Sequence, residues 1–167
     1  MEGLEPKKNG QAFHFRKARG GLLSEPREAV APLIPYLHGI QRFAEPCARD
    51  GDLVEHPEAF GLRCLYVGDV RTGQDALAAD SYGNVDAIIT DPPHSRELMH
   101  RLIAHFQRIA PTWLLIDYDW ASTKQAAPFL PCCSDIVAIG SLFLHRNGLA
   151  PPTPVVAGRA TGLVFLR

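Results

Sequence analysis

The stretch from residue 85 to residue 116 constrains the fold most, because it reads as strand, helix, strand. Val85 to Thr90 is a short apolar run, and Trp113 to Ile116 is another, entered through Pro111. Between them, Leu98, Met99, Leu102, Ile103, Phe106 and Ile109 recur on one helical face over Ser95–Ile109. Ser95 stands where a capping residue belongs, and Glu97 lies in the positive first turn. Two strands joined through one helix run parallel in a single sheet.

The same alternation extends in both directions. Ile40 to Ala44 reads as a strand, Glu45 to Gly51 as a turn, and Asp52 to Phe60 as a weak helix that Pro57 ends. Arg63 to Val67 is the next strand. Upstream, Ala29, Val30, Leu33, Ile34 and Leu37 have helical spacing behind Ser24, and Pro32 and Pro35 shorten or kink that helix. Downstream, Ala121 to Ala127 reads as a helix, and Ile136–Leu144 and Gly162–Leu166 as two strands. No helix separates those last two, so they form an antiparallel hairpin at one edge. The expectation is an α/β fold: a single three-layer, Rossmann-like domain with a mostly parallel sheet and an antiparallel edge strand.

At 167 residues the chain has room for one domain, expected over residues 24–167, preceded by a flexible basic arm over residues 1–23. Seventeen basic and eighteen acidic residues leave a net charge of −1, against a nucleic-acid binder held by bulk charge, although a local basic face stays open. Cys47, Cys64, Cys132 and Cys133 form no C-x-x-C pair, so reduced, cytoplasmic thiols are expected rather than a zinc or redox site. His100 and His105 are about 140° apart around a helix and cannot share a ligand, so no metal site is read. Lys7 and Lys8 are followed by no apolar run, and Ile136–Leu144 is too short to span a bilayer, so no membrane segment is expected.

In open α/β sheets the ligand-bearing loops follow the carboxyl ends of the strands, and three such segments stand out. The first is Glu45-Pro46-Cys47-Ala48-Arg49-Asp50-Gly51, where small residues and a glycine ahead of a helix allow close approach to the backbone. The second ends in Asp69, eighteen residues beyond Gly51, where a carboxylate suits a ribose diol. Asp75 follows six residues later as a weaker candidate for an adenine amino group. The third is Thr90-Asp91-Pro92-Pro93-His94. Consecutive prolines fix two φ angles and remove two donors, leaving carbonyls on a stiff turn, with a ring beside them to stack on a planar substrate.

In this order and spacing, the three segments resemble class I S-adenosylmethionine-dependent methyltransferases of the DNA adenine-N6 (amino) group. The resemblance covers roughly residues 24 to 145 and includes Ser24-Glu25-Pro26, similar to the segment that often precedes the first motif. It implies S-adenosylmethionine as cofactor, bound by Glu45, Pro46, Cys47, Ala48, Gly51, Asp69 and Asp75. It implies that Asp91, Pro92, Pro93 and His94 hold and orient an exocyclic amine, adenine N6 in DNA, with a separate partner able to supply specificity. Arg49 stands where that group most often has glycine, and His94 where it has Tyr, Phe or Trp. No stretch is long enough for a target-recognition region. The alternative is a degenerate, non-catalytic relative acting as a binding or partner module. Trp113 and Trp120 are read as core residues, and Asp117 and Asp119 as either pocket-shaping or surface residues.

Overall fold

The computed structural model describes residues 30–138 and 161–166, with the side chains of Tyr118, Ala138 and 161–166 set aside. The basic arm, the Ser24-Glu25-Pro26 segment and residues 139–144 of the expected strand lie outside the described residues.

Six strands form one sheet: β1 (Arg42–Glu45), β2 (Arg63–Val67), β3 (Ala87–Thr90), β4 (Thr112–Asp117), β5 (Cys133–Ala138) and β6 (Thr161–Leu166). Their spatial order is β2-β1-β3-β4-β6-β5. The first four are mutually parallel, as the strand–helix–strand pattern requires. Strand β6 is antiparallel to both neighbours, so the β5–β6 hairpin closes one side, with β6 inside and β5 outermost.

Helix α1 (Asp52–Ala59) links β1 to β2, and α2 (Arg96–Phe106) links β3 to β4. Gly51 starts α1 at φ 87°, a left-handed conformation that penalises any Cβ. Ser95 occupies the N-cap position of α2, but its side chain makes no capping hydrogen bond. The upstream proline-rich segment forms a 3-10 turn, Ala31–Tyr36, with Pro35 inside it.

The expected helix over Ala121–Ala127 does not form. A 3-10 turn covers Tyr118–Ser122 and further turns follow. The Ser122 hydroxyl donates to the Asp119 carbonyl, and the Thr123 hydroxyl to that of Trp120, so side chains compete with the helical ladder.

Alternate residues of each inner strand supply two cores on opposite faces. Phe43, Ile89, Trp113 and Leu115 pack with Leu33, Leu37 and Leu53 on one side. On the other, Ala44, Ile88, Leu114 and Ile116 meet Met99, Leu102, Ile103 and Phe106 of α2. Trp113 and Trp120 are both buried, as core residues. On β2, Cys64 pairs with Phe43 and Tyr66 with Ala44, which makes Leu65 the extra residue of a bulge. The bulge lets Cys64 face one core and Tyr66 the other.

Candidate functional site

The chain leaves β1 for β2 on one side, then crosses back to β3 on the other. Strand order therefore reverses at β1, and the crevice beyond the carboxyl ends of β1, β2 and β3 is the topological switch point. The three segments singled out in the sequence follow these strands.

Glu45 ends β1 and is 1% exposed. Its Oε1 accepts the Cys47 N–H at 2.8 Å and the hydroxyl of the equally buried Thr90, at the end of β3, at 2.5 Å. Glu45 thus tethers its own turn to the neighbouring strand. The same turn is stitched to β2, because Gly68 donates to the Glu45 carbonyl at 2.9 Å and Ala48 donates to the Gly68 carbonyl at 2.8 Å. Pro46 is buried, and Arg49 donates to the Cys47 carbonyl. The amides of Cys47, Ala48 and Arg49 are therefore satisfied within the protein, so this turn is not an open row of donors. Burial foremost, with the Glu45 charge behind it, pushes the Cys47 thiol up to about 12.

Asp69 follows β2 and is largely buried. Its Oδ1 accepts the Arg71 backbone N–H at 2.8 Å, and its Oδ2 meets Arg71 Nε at 2.8 Å and Nη2 at 2.7 Å. Burial alone would raise the Asp69 carboxyl, yet the Arg71 donors and charge hold it below the ordinary range. Three of about four acceptor sites are in use, so a diol would bind here only as Arg71 yields. Arg71 reaches further, to the Arg49 carbonyl and to Asp50. Asp75 is exposed and caps a short turn, accepting the Leu77 N–H at 2.9 Å.

Asp91 follows β3. Its side chain is 8% exposed and forms an ion pair with the guanidinium of Arg49, which is 53% exposed. Among the described residues, the buried Asp91 Oδ2 has no other donor. Pro92 is buried, whereas Pro93 and His94 face outward. At the end of β4, Trp120 donates its indole N–H to His100 Nε2 at 3.1 Å, and Asp119 is exposed.

The fold thus gathers Glu45–Gly51, Asp69 and Asp91–Pro92 at one crevice and leaves Asp75, Pro93 and His94 at or near its outside. Three pairings escaped the sequence reading: Thr90 with Glu45, Arg71 with Asp69, and Arg49 with Asp91. The second was half legible, since an aspartate side chain commonly accepts the amide two residues on, whereas nothing local announces the Arg71 guanidinium that completes the contact.

No family model matches the chain, and no curated protein matches it in sequence. Among solved structures it is similar to one from Thermoplasma acidophilum described as a "putative methyltransferase". That match has 14% sequence identity and a TM-score of 0.38 and covers 85% of this chain. The chain spans 64% of the length of that protein. The fold described above rests on the strand order itself, and the chemistry rests on the loops.

Proposed function

We propose that the crevice at β1–β3 binds S-adenosylmethionine and directs methyl transfer to an exocyclic amino nitrogen, with adenine N6 in DNA as substrate. The observation that supports this reading is the Asp91-Pro92 turn, a buried carboxylate on a rigid turn directly beside the Glu45 and Asp69 loops. The residues fit such a cofactor in acceptor type: Asp69 is a carboxylate placed to take ribose hydroxyls as Arg71 yields.

When bound, the cofactor supplies an electrophilic methyl group on a sulfonium. The rest is positioning by the chain. An exocyclic amine is a poor nucleophile because its lone pair is delocalised into the ring. The Asp91 carboxylate and the carbonyls of the Asp-Pro-Pro turn accept its N–H bonds and favour a pyramidal nitrogen. Holding the reactants in line then supplies much of the acceleration. A base in a duplex must first leave the stack, and the exposed His94 ring offers it a surface.

The second reading, a non-catalytic relative, draws on the Arg49–Asp91 pair and the internally spent amides of the turn. Thermal unfolding with S-adenosylmethionine and S-adenosylhomocysteine separates the two. Ligand at about 100 times Kd stabilises the folded state by about 2.7 kcal/mol, which raises Tm by roughly 5–11 °C for a domain of this size. A saturable rise, followed by transfer of a labelled methyl group to DNA that Asp91→Ala abolishes, is the expected outcome. No shift at millimolar ligand would favour the non-catalytic reading.

A further inference from the structure

The proposed amine subsite already has an occupant. Arg49 places a planar, delocalised –NH2 group against Asp91, the hydrogen-bonding class to which an exocyclic amine on an aromatic ring belongs. We propose that Arg49 is a built-in competitor for the amine subsite, a latch that any incoming planar amine must displace. The inference concerns regulation of the site named above and rests on that reading for its biological meaning.

Three features make the contact exchangeable. The acid is buried and has no other donor among the described residues, so leaving it empty is costly. Its partner is half exposed, so the guanidinium can return to water at little cost. Removal without replacement is thus disfavoured, while replacement by another N–H donor is not. The latch is also braced: Arg71 holds Asp69, Asp50 and the Arg49 carbonyl together. The loops after β1, β2 and β3 are therefore strapped across the crevice by two arginines, and a hydroxyl ligand that draws Asp69 away from Arg71 loosens the brace on Arg49.

A site open only part of the time binds with its intrinsic affinity reduced by the open fraction. Taking the latch away therefore strengthens amine binding. In turnover it lowers KM for the amine.

The test uses ethylguanidinium chloride as probe, at constant chloride concentration, with thermal unfolding as readout. It compares the intact protein, Arg49→Ala, Arg49→Met and the double variant Arg49→Ala/Asp91→Asn. Arg49→Ala and Arg49→Met should be stabilised saturably, with a midpoint at least about tenfold below that of the intact protein, equivalent to about 1.4 kcal/mol. The double variant should lose that response. Equal responses of the intact protein and both single variants, or a double variant that responds like Arg49→Ala, would overturn the latch. Arg49→Met keeps an unbranched stem without any N–H donor and carries the test if Arg49→Ala does not fold. S-adenosylmethionine is titrated into the same samples. Failure of that titration with rescue by guanidinium sinks the methyl-transfer reading and leaves the latch standing; the reverse pattern sinks the latch alone.

Discussion

Glu45 shows how much a single residue at the crevice is asked to do. It is almost fully buried and is held by a backbone amide of its own turn and the hydroxyl of Thr90, forty-five residues away. Replacing Thr90 with Val keeps the volume and removes the donor, leaving a buried acceptor short of a partner, at a cost of about 1–3 kcal/mol. Urea unfolding of Thr90→Val should show a lowered midpoint with an unchanged slope; a midpoint equal to that of the parent would show that Glu45 is satisfied by its other contacts. The cysteines give a second residue-level test. Burial is the main reason that the Cys47 and Cys64 thiols are pushed up to about 12, and Cys132 is exposed. Alkylation by iodoacetamide at pH 8, read by mass spectrometry, should modify Cys132 first and reach Cys47 and Cys64 only under unfolding conditions, because the thiolate is the reactive form. At this scale the sequence was legible where a role follows from local spacing. Asp69, Asp91 and Gly51 all lie at the crevice because each ends a strand or opens a helix. The Arg49–Asp91 and Glu45–Thr90 pairs join residues more than forty positions apart, and no local pattern announces them.

At the scale of elements, the stitching of β1 to β2 depends on a residue without a side chain. A Cβ on Gly68 would lie 2.9 Å from the Tyr66 ring and 3.0 Å from the Pro46 carbonyl oxygen. Gly68→Ala should therefore force the two loops apart and cost about 1–3 kcal/mol, the range for overpacking a tight contact. A melting temperature equal to that of the parent would mean that the Tyr66 ring swings away. At the other end of the sheet, Arg42 on β1 clamps Asp86, just ahead of β3, with Nη2 to Oδ1 at 2.6 Å. The backbone amides of Arg42 and Gln41 add their own bonds. The Arg42 side chain, then these amides, hold the Asp86 carboxyl well below the usual carboxylate range. A depressed folded value means that this contribution is present above the unfolded value, near 4. It is lost as pH falls through the folded value. Asp86→Asn should thus be less stable than the parent at pH 7, with the gap closing progressively below about pH 4; a gap independent of pH would exclude the ionised pair as its source. Most elements were legible because strand runs and the α2 face repeat at their own periods. Ala121–Ala127 was not: its composition favours a helix, but Ser122 and Thr123 divert their hydroxyls to nearby carbonyls and Pro128 follows.

For the molecule as a whole, the two cores meet across β1, β3 and β4, whose side chains point alternately into each. Ile88 and Ile89 are both fully buried, one in each core, as are Phe43 and Ala44. Strand β2 differs: it is an outer strand of the sheet, and Leu65, its bulged residue, is 41% exposed. The crevice lies at the junction of these regimes, with β1 and β3 behind Glu45 and Asp91, and β2 behind Asp69. Opening free energies should follow the same division, because amides in a doubly covered strand open only with the whole domain, whereas an outer strand can open alone. Native-state hydrogen exchange should therefore give the slowest amides in β3 and the central part of β4, and faster ones in β2. A ligand that bridges the Asp69 and Asp91 loops would couple the outer strand to the centre, so β2 amides should gain more protection from such a ligand than those of β3. Equal gains in both strands would mean that binding stabilises the domain only globally. Slow exchange in β2 without ligand would show that the outer strand is already fastened as tightly as the core.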